Sequence, residues 1–234
     1  SRLGFPVRLR WWTSDAMNDR KRIVIVGGGP AGLMAAEVAA RSGCDVQVFD
    51  AMPSVGRKFL MAGKGGMNIT HAEPFAEFCA RYGQRCDSIV PLLETFGPDA
   101  VRGWIHGLGI ESFVGSSGRV FPVGMKAAPL LRTWLHRLRE SGVGFHVRHR
   151  WCGLERLADG RYRLDFQSPD GERNEEADGV VLATGGGSWA KLGSDGRWIA
   201  LLESLGVPVA PLRPANCGFE VRWSGYLRER FAGQ

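Results

Sequence analysis

The sequence predicts an α/β protein whose parallel core sheet is interrupted by a small antiparallel meander. Three observations carry that prediction. Ile23-Val24-Ile25-Val26 is a short apolar run that ends in glycines and leads into an alanine-rich helix. Asp45-Val46-Gln47-Val48-Phe49-Asp50 follows at once and alternates like a second strand. Far down the chain, Gly179-Val180-Val181-Leu182-Ala183 reads as a fully buried strand, reached after segments separated by hairpin-type turns.

The first strand runs into Gly27-Gly28-Gly29-Pro30-Ala31-Gly32. Gly27, Gly29 and Gly32 occupy the glycine positions of a dinucleotide fingerprint: a tight turn, a close backbone approach to a pyrophosphate, and close helix–strand packing. A helix start there offers free N–H groups and a positive dipole end to phosphates. Leu33 to Arg41 favours helix and Gly43 supplies a stop. Asp50 lies about 20 residues beyond the glycines, where a carboxylate accepts a ribose hydroxyl.

Ala51 to His71 reads as a long loop rich in glycine and lysine. Helices are expected at about 73–82, 88–96 and 98–107. Strands are expected at Ile110 to Val114 and Arg119 to Val123, around Gly115-Ser116-Ser117-Gly118. Ala127 to Ser141 places Leu130, Leu131, Trp134, Leu135 and Leu138 on one helical face. Phe145 to Leu157 and Arg161 to Gln167 read as strands, and Pro169-Asp170-Gly171-Glu172 as a turn. Asp195 to Leu205 is helical by pattern, and Val207 to Val221 is extended.

Composition narrows the function. The net charge is +6 over 234 residues, with basic residues scattered, so an anionic cofactor explains the surplus as well as a nucleic acid does. No aromatic RNA-binding motif accompanies the charge, and no nucleic-acid partner is expected. No apolar run has the length of a membrane span, so no membrane association is expected. The five cysteines form no CxxC pair and no metal spacing, which fits reduced thiols in a cytoplasm, with Cys44 and Cys217 as buried small hydrophobes. Residues 1–16 read as an upstream or disordered leader ahead of Met17.

Two further segments carry chemistry. Leu182-Ala183-Thr184-Gly185-Gly186 ends a buried strand on small residues, suited to backbone passing close to a ligand. Within Gly56 to His71, Arg57, Lys58 and Lys64 can pair with phosphates. Asn68 and Thr70 can hydrogen-bond a polar ring edge, and His71 can hold the loop or donate a proton. No Ser-His-Asp order stands out, and no catalytic residue is assigned. A second GxGxxA at Gly185 to Ala190 does not continue into a good helix, so no second nucleotide domain is expected.

Together the fingerprint, Gly56-Arg57-Lys58-Phe59-Leu60-Met61-Ala62-Gly63-Lys64-Gly65-Gly66-Met67-Asn68-Ile69-Thr70-His71, Gly115-Ser116-Ser117-Gly118-Arg119-Val120-Phe121-Pro122, Ala183-Thr184-Gly185-Gly186-Gly187-Ser188-Trp189 and Leu192-Gly193-Ser194-Asp195-Gly196 resemble one family. It is the bacterial BaiN-type NAD(P)/FAD-dependent oxidoreductases, also called NAD(FAD)-utilising dehydrogenases, and the resemblance runs from about Lys21 to Gln234. It implies a glutathione-reductase-like Rossmann domain that binds FAD, with NAD(P)H as a possible electron donor docking directly at the flavin. Relatives commonly read Gly-Gly-Gly-Arg-Cys-Asn where this chain has Gly66-Met67 before Asn68, so no cysteine is offered at that place. In the family a substrate domain is inserted after the Ala-Thr-Gly-Gly segment, and a C-terminal return segment completes the flavin site.

The expectation is therefore a FAD-binding domain over residues 17–207 and the start of an inserted substrate domain over 208–234. Gly27, Gly29, Pro30, Ala31, Gly32, Asp50, Arg57, Lys58, Asn68, Thr184 and Gly185 are expected to hold FAD. The function expected is hydride transfer between a reduced nicotinamide and an organic substrate, with reduction of steroid-like enones as a family analogy. Two alternatives stay open: a flavin-containing RNA-associated protein, and a truncated fragment whose flavin site is incomplete.

Overall fold

The computed structural model describes residues 20–62, 65–213, 221 and 223–231. The expected leader, Lys64 and Cys217 lie outside the described residues. In chain order the first elements are β1 (Arg22–Val26), α1 (Pro30–Arg41), β2 (Asp45–Asp50), α2 (Arg57–Ala62) and β3 (Thr70–His71). Next come α3 (Phe75–Ala80), α4 (Cys86–Thr95), α5 (Pro98–His106), β4 (Ser112–Val114), β5 (Arg119–Pro122) and α6 (Ala127–Glu140). The chain continues through β6 (Gly144–Val147), β7 (Arg150–Arg156), β8 (Tyr162–Ser168), β9 (Gly171–Ala177), β10 (Gly179–Leu182), α7 (Trp198–Ser204) and α8 (Gly225–Phe231).

Four strands form a parallel sheet in the order β10-β1-β2-β6. The period-two alternation of β1 sorts its side chains onto two cores. Ile25 faces α1 and α6, where it meets Leu33, Ala36, Leu130, Leu131, Trp134 and Leu138. Val24 and Val26 face the other way, onto Leu164, Phe166 and Ala177 of the meander β7-β8-β9. The parallel sheet is thus sandwiched between helices and an antiparallel sheet, which buries both faces of its central strands. A third sheet, β3-β5-β4, stands apart as a small antiparallel unit.

Four sequence expectations need correction. Phe145 to Leu157 is two strands in two different sheets. Arg148 takes φ 59°, a left-handed backbone that no continuous strand contains, and there the chain turns from β6 into the meander. Ala51 to His71 contains a helix: α2 forms because Phe59 buries against Trp134, with ring centroids 6.1 Å apart, after Gly56 turns the chain at φ 71°. The strand over 179–183 is only half buried. β10 is outermost in its sheet among the described residues, and Val181 and Leu182 are 36% and 37% exposed. Finally, Glu172 lies inside β9, whose charged sequence hides its strand character. Cys44 is partly buried and packs on the helical core.

A polar hub fastens the helical layer. Glu37 of α1 is 3% exposed. Its Oε2 accepts from the indole N–H of Trp134 (2.7 Å) and of Trp104 (3.1 Å). Its Oε1 accepts from Arg41 (2.5 Å) and forms an ion pair with the Arg137 guanidinium at 2.7 Å. Both oxygens of this buried carboxylate are thereby hydrogen-bonded and its charge is paired, which is the condition for keeping one in an apolar core.

Candidate cofactor site

One cavity of about 600 Å³ opens at the C-terminal ends of β1, β2 and β10. That is where open parallel sheets place their ligands, and the volume is in the usual range of ligand sites. Gly27, Gly29, Pro30, Ala31, Asp50, Arg57, Lys58, Thr184 and Gly185 all line it. Gly32 stands behind the turn and Asn68 lies away from the cavity. The Asn68 side-chain N–H₂ donates to the Thr70 and Val120 carbonyls, at 2.9 and 3.3 Å, and so braces the β3–β5 pair.

The glycines divide into two kinds. A Cβ on Gly27, which sits at φ +107°, would lie 2.8 Å from the Ala183 carbonyl carbon and closer still to its oxygen. A Cβ on Gly28 would press on Val55, 2.8 Å from its Cβ. One on Gly32 would collide with the Gly27 carbonyl. These three are dictated by packing. Gly29 is different: a Cβ there meets nothing within 4 Å, and its φ of −80° suits any residue. It stands at the N-cap of α1, which carries no side-chain cap and no acid in its first turn. The free N–H groups and positive dipole end of α1 therefore face open space, an arrangement that favours an anion.

Asp50 stands beside the glycine turn. Its Oδ2 accepts the Gly28 N–H at 2.7 Å and its Oδ1 accepts the Met52 N–H at 2.8 Å. Burial pushes the Asp50 carboxyl above the usual carboxylate range, against the pull of those two N–H groups and of the Arg57 charge. A carboxylate held at a desolvation cost stands ready for a further hydroxyl donor. Arg57 Nε and Trp198 Nε1 are also buried without a partner among the described residues, and both residues line the cavity. Orphaned donors of this kind call for an acceptor from outside the chain.

Sequence reasoning missed part of the wall: Met52, His149, Arg150, Cys152, Ser194 and Trp198. His149 and Arg150 arrive through the turn at Arg148, which no periodicity signals. Ser194 donates to the Gly186 carbonyl, tying the segment after β10 to the cavity rim. His71 does not line the cavity and holds a loop, with Nε2 against the Ser117 carbonyl at 3.0 Å. Among the described residues no group of His, Cys, Asp and Glu could hold a metal ion.

The geometry is matched by kinship. Residues 21–221 match the model of the HI0933-like protein Rossmann domain. The chain belongs to the HI0933-like family. Among curated relatives, the 3-dehydro-bile acid delta(4,6)-reductase of Clostridium scindens is 34% identical over 203 residues, covering 86% of this chain and 48% of the relative. The ribosomal RNA dihydrouridine synthase of Haemophilus influenzae is 26% identical over 207 residues, covering 88% of this chain and 50% of the relative. The chain thus spans about half the length of the curated relatives it matches.

Among solved structures, a flavocytochrome c3 fumarate reductase in an open conformation aligns with TM-score 0.60 and 19% identity, over 83% of this chain and 43% of that one. The 3-ketosteroid-delta4-(5alpha)-dehydrogenase of Rhodococcus jostii RHA1 aligns with TM-score 0.58 and 18% identity, over 83% and 56%. These two establish the fold: a Rossmann-type α/β domain with a parallel sheet, as the sequence predicts. The family resemblance read from the motifs holds as well.

Proposed function

We propose that the chain binds FAD and that the protein is an oxidoreductase. It passes hydride from a reduced nicotinamide to an organic substrate. The carrying observation is Gly29: a glycine with no packing reason to be one, at an uncapped helix N-terminus, next to the Gly28 N–H that the Asp50 carboxylate accepts. In this reading α1 and the Arg57 and Lys58 cations hold the diphosphate, and Asp50 accepts a ribose hydroxyl. Thr184 and Gly185 pass close to the cofactor at the end of β10. Asn68 is left out of the contacts, because its amide N–H₂ is already committed to two carbonyls.

FAD when bound would supply the hydride chemistry, and the chain would supply orientation and electrostatics. The names of both curated relatives describe reductions, one of a dehydro-bile acid and one giving dihydrouridine in ribosomal RNA. Together they favour a carbon–carbon double bond conjugated to a carbonyl as the group reduced here. No helix among the described residues is long and apolar enough to cross a membrane, and the free cysteines suit a cytoplasmic setting. Anaerobic titration with NADH and NADPH tests the reading: loss of the flavin absorbance band is expected, and a protein that neither carries nor takes up flavin would overturn it.

A second reading, an RNA substrate, draws on the net charge of +6 and on the ribosomal RNA relative. RNA binding that falls steeply with salt would favour it over a small-molecule substrate.

A further inference from the structure

We infer that His149 reads the adenine base of the dinucleotide, accepting a hydrogen bond from its exocyclic amine. The inference rests on the FAD reading and deepens it. His149 lines the cavity, and its backbone N–H donates to the Asp50 carbonyl at 2.9 Å, so it sits beside the residue assigned to the adenosine ribose. Its Nδ1 lies 2.8 Å from the Val147 carbonyl. A carbonyl only accepts, so Nδ1 carries the proton and, in the neutral ring, Nε2 is left as an acceptor.

The ring is held in that pose. It stands edge-on to Phe49, with centroids 5.5 Å apart, and to His146 at 5.8 Å and Phe166 at 6.4 Å. Among the described residues nothing pairs with Nε2. A fixed, unused acceptor at the ribose end of a dinucleotide cavity matches the N–H₂ of adenine and opposes the oxygen that hypoxanthine carries there. Asp50 is indifferent to the base, so base preference falls to the segment around His149.

Calorimetric titration of the protein with ADP and with IDP, in mildly alkaline buffer, tests this without a flavin. ADP is expected to bind about tenfold tighter than IDP, the scale of one hydrogen bond gained against one unpaired acceptor. His149→Phe keeps the ring packing on Phe49 and removes the acceptor. It is expected to weaken ADP binding, to leave IDP binding nearly unchanged, and to retain the wild-type melting temperature. FAD binding with equal affinity for ADP and IDP overturns the inference alone, as does a His149→Phe protein that keeps the preference. Failure of FAD and ADP to bind at all overturns the FAD reading together with it.

Discussion

Replacing Gly29 with alanine separates what the fold requires from what a ligand requires. The new Cβ meets no atom within 4 Å, and the backbone at φ −80°, ψ −177° is one that alanine adopts freely. Two opposing effects on stability follow. Loss of unfolded-state freedom stabilises by about 0.4–1 kcal/mol. Alanine is a poorer N-cap than glycine, which costs a similar amount, on the order of 1 kcal/mol. The net change in folding should therefore stay within about 1 kcal/mol. Binding is another matter, because in the proposed FAD reading the methyl occupies the path of the diphosphate. Displacing one charge-assisted hydrogen bond costs about 1.5–3 kcal/mol, or roughly 10- to 150-fold in affinity for FAD. Gly32→Ala is the control: its Cβ drives into the Gly27 carbonyl, and prying α1 from the turn should cost about 3 kcal/mol of stability. Urea unfolding followed by tryptophan fluorescence gives the first quantity, and quenching of flavin fluorescence gives the second. A Gly29→Ala protein that binds FAD as well as wild type would refute the reasoning. So would one that unfolds as readily as Gly32→Ala.

Three other outcomes are expected. Glu37→Gln should destabilise the protein by about 3–5 kcal/mol in urea unfolding, since it removes the charge paired with Arg137 and sets an amide N–H₂ against either the guanidiniums or the two indole N–H groups; a loss under 1 kcal/mol would show that the hub contributes little. Asp50→Ala should weaken FAD binding by about 1–3 kcal/mol, and an unchanged affinity in the same flavin titration would remove its assignment to the ribose.

The last concerns pH. Burial raises the Glu175 carboxyl, but the Arg173 and Arg22 guanidiniums outweigh it and hold it below its ordinary range. A depressed folded value stabilises the native state above the unfolded pKa, about 4.3, and that contribution disappears as pH falls through the folded value. Wild type should thus exceed Glu175→Gln in stability by about 1 kcal/mol at neutral pH, with the difference closing in acid. A gap that persists in acid would contradict the ion-pair account.

The sequence shows best what short range decides. β1, the glycine turn, α1 and β2 are legible because each is set by neighbours within a few residues: apolar alternation, a glycine at φ +107°, an alanine-rich helix. The position of Asp50 follows from the same spacing. Long-range packing is legible less often. α2 is six residues with no periodicity of its own, and it forms because Phe59 finds Trp134 across the core. β9 reads as polar because its charges pair across the sheet, as Glu176 does with Arg161.

The break at Arg148 turns on one left-handed φ in a residue that gives no hint of it, and it brings His149 to the cavity. The Glu37 hub joins α1, α5 and α6 across positions up to 100 residues apart. A lone glutamate in a helical pattern reads as solvent-facing until its three donors and the Arg137 charge are assembled. Asn68 shows the converse: its residue type suits a ligand, but neighbouring carbonyls engage it first.

Titration of FAD and FMN into the protein, followed by flavin fluorescence, tests the central claim most directly. The claim is that the cavity at the ends of β1, β2 and β10 is built for a dinucleotide. FMN lacks the adenosine half assigned to Asp50 and His149 and the second phosphate assigned to α1. The account predicts that FAD saturates one site per chain while FMN binds far more weakly and does not displace it. Equal binding of FAD and FMN, or no binding of FAD, would contradict it.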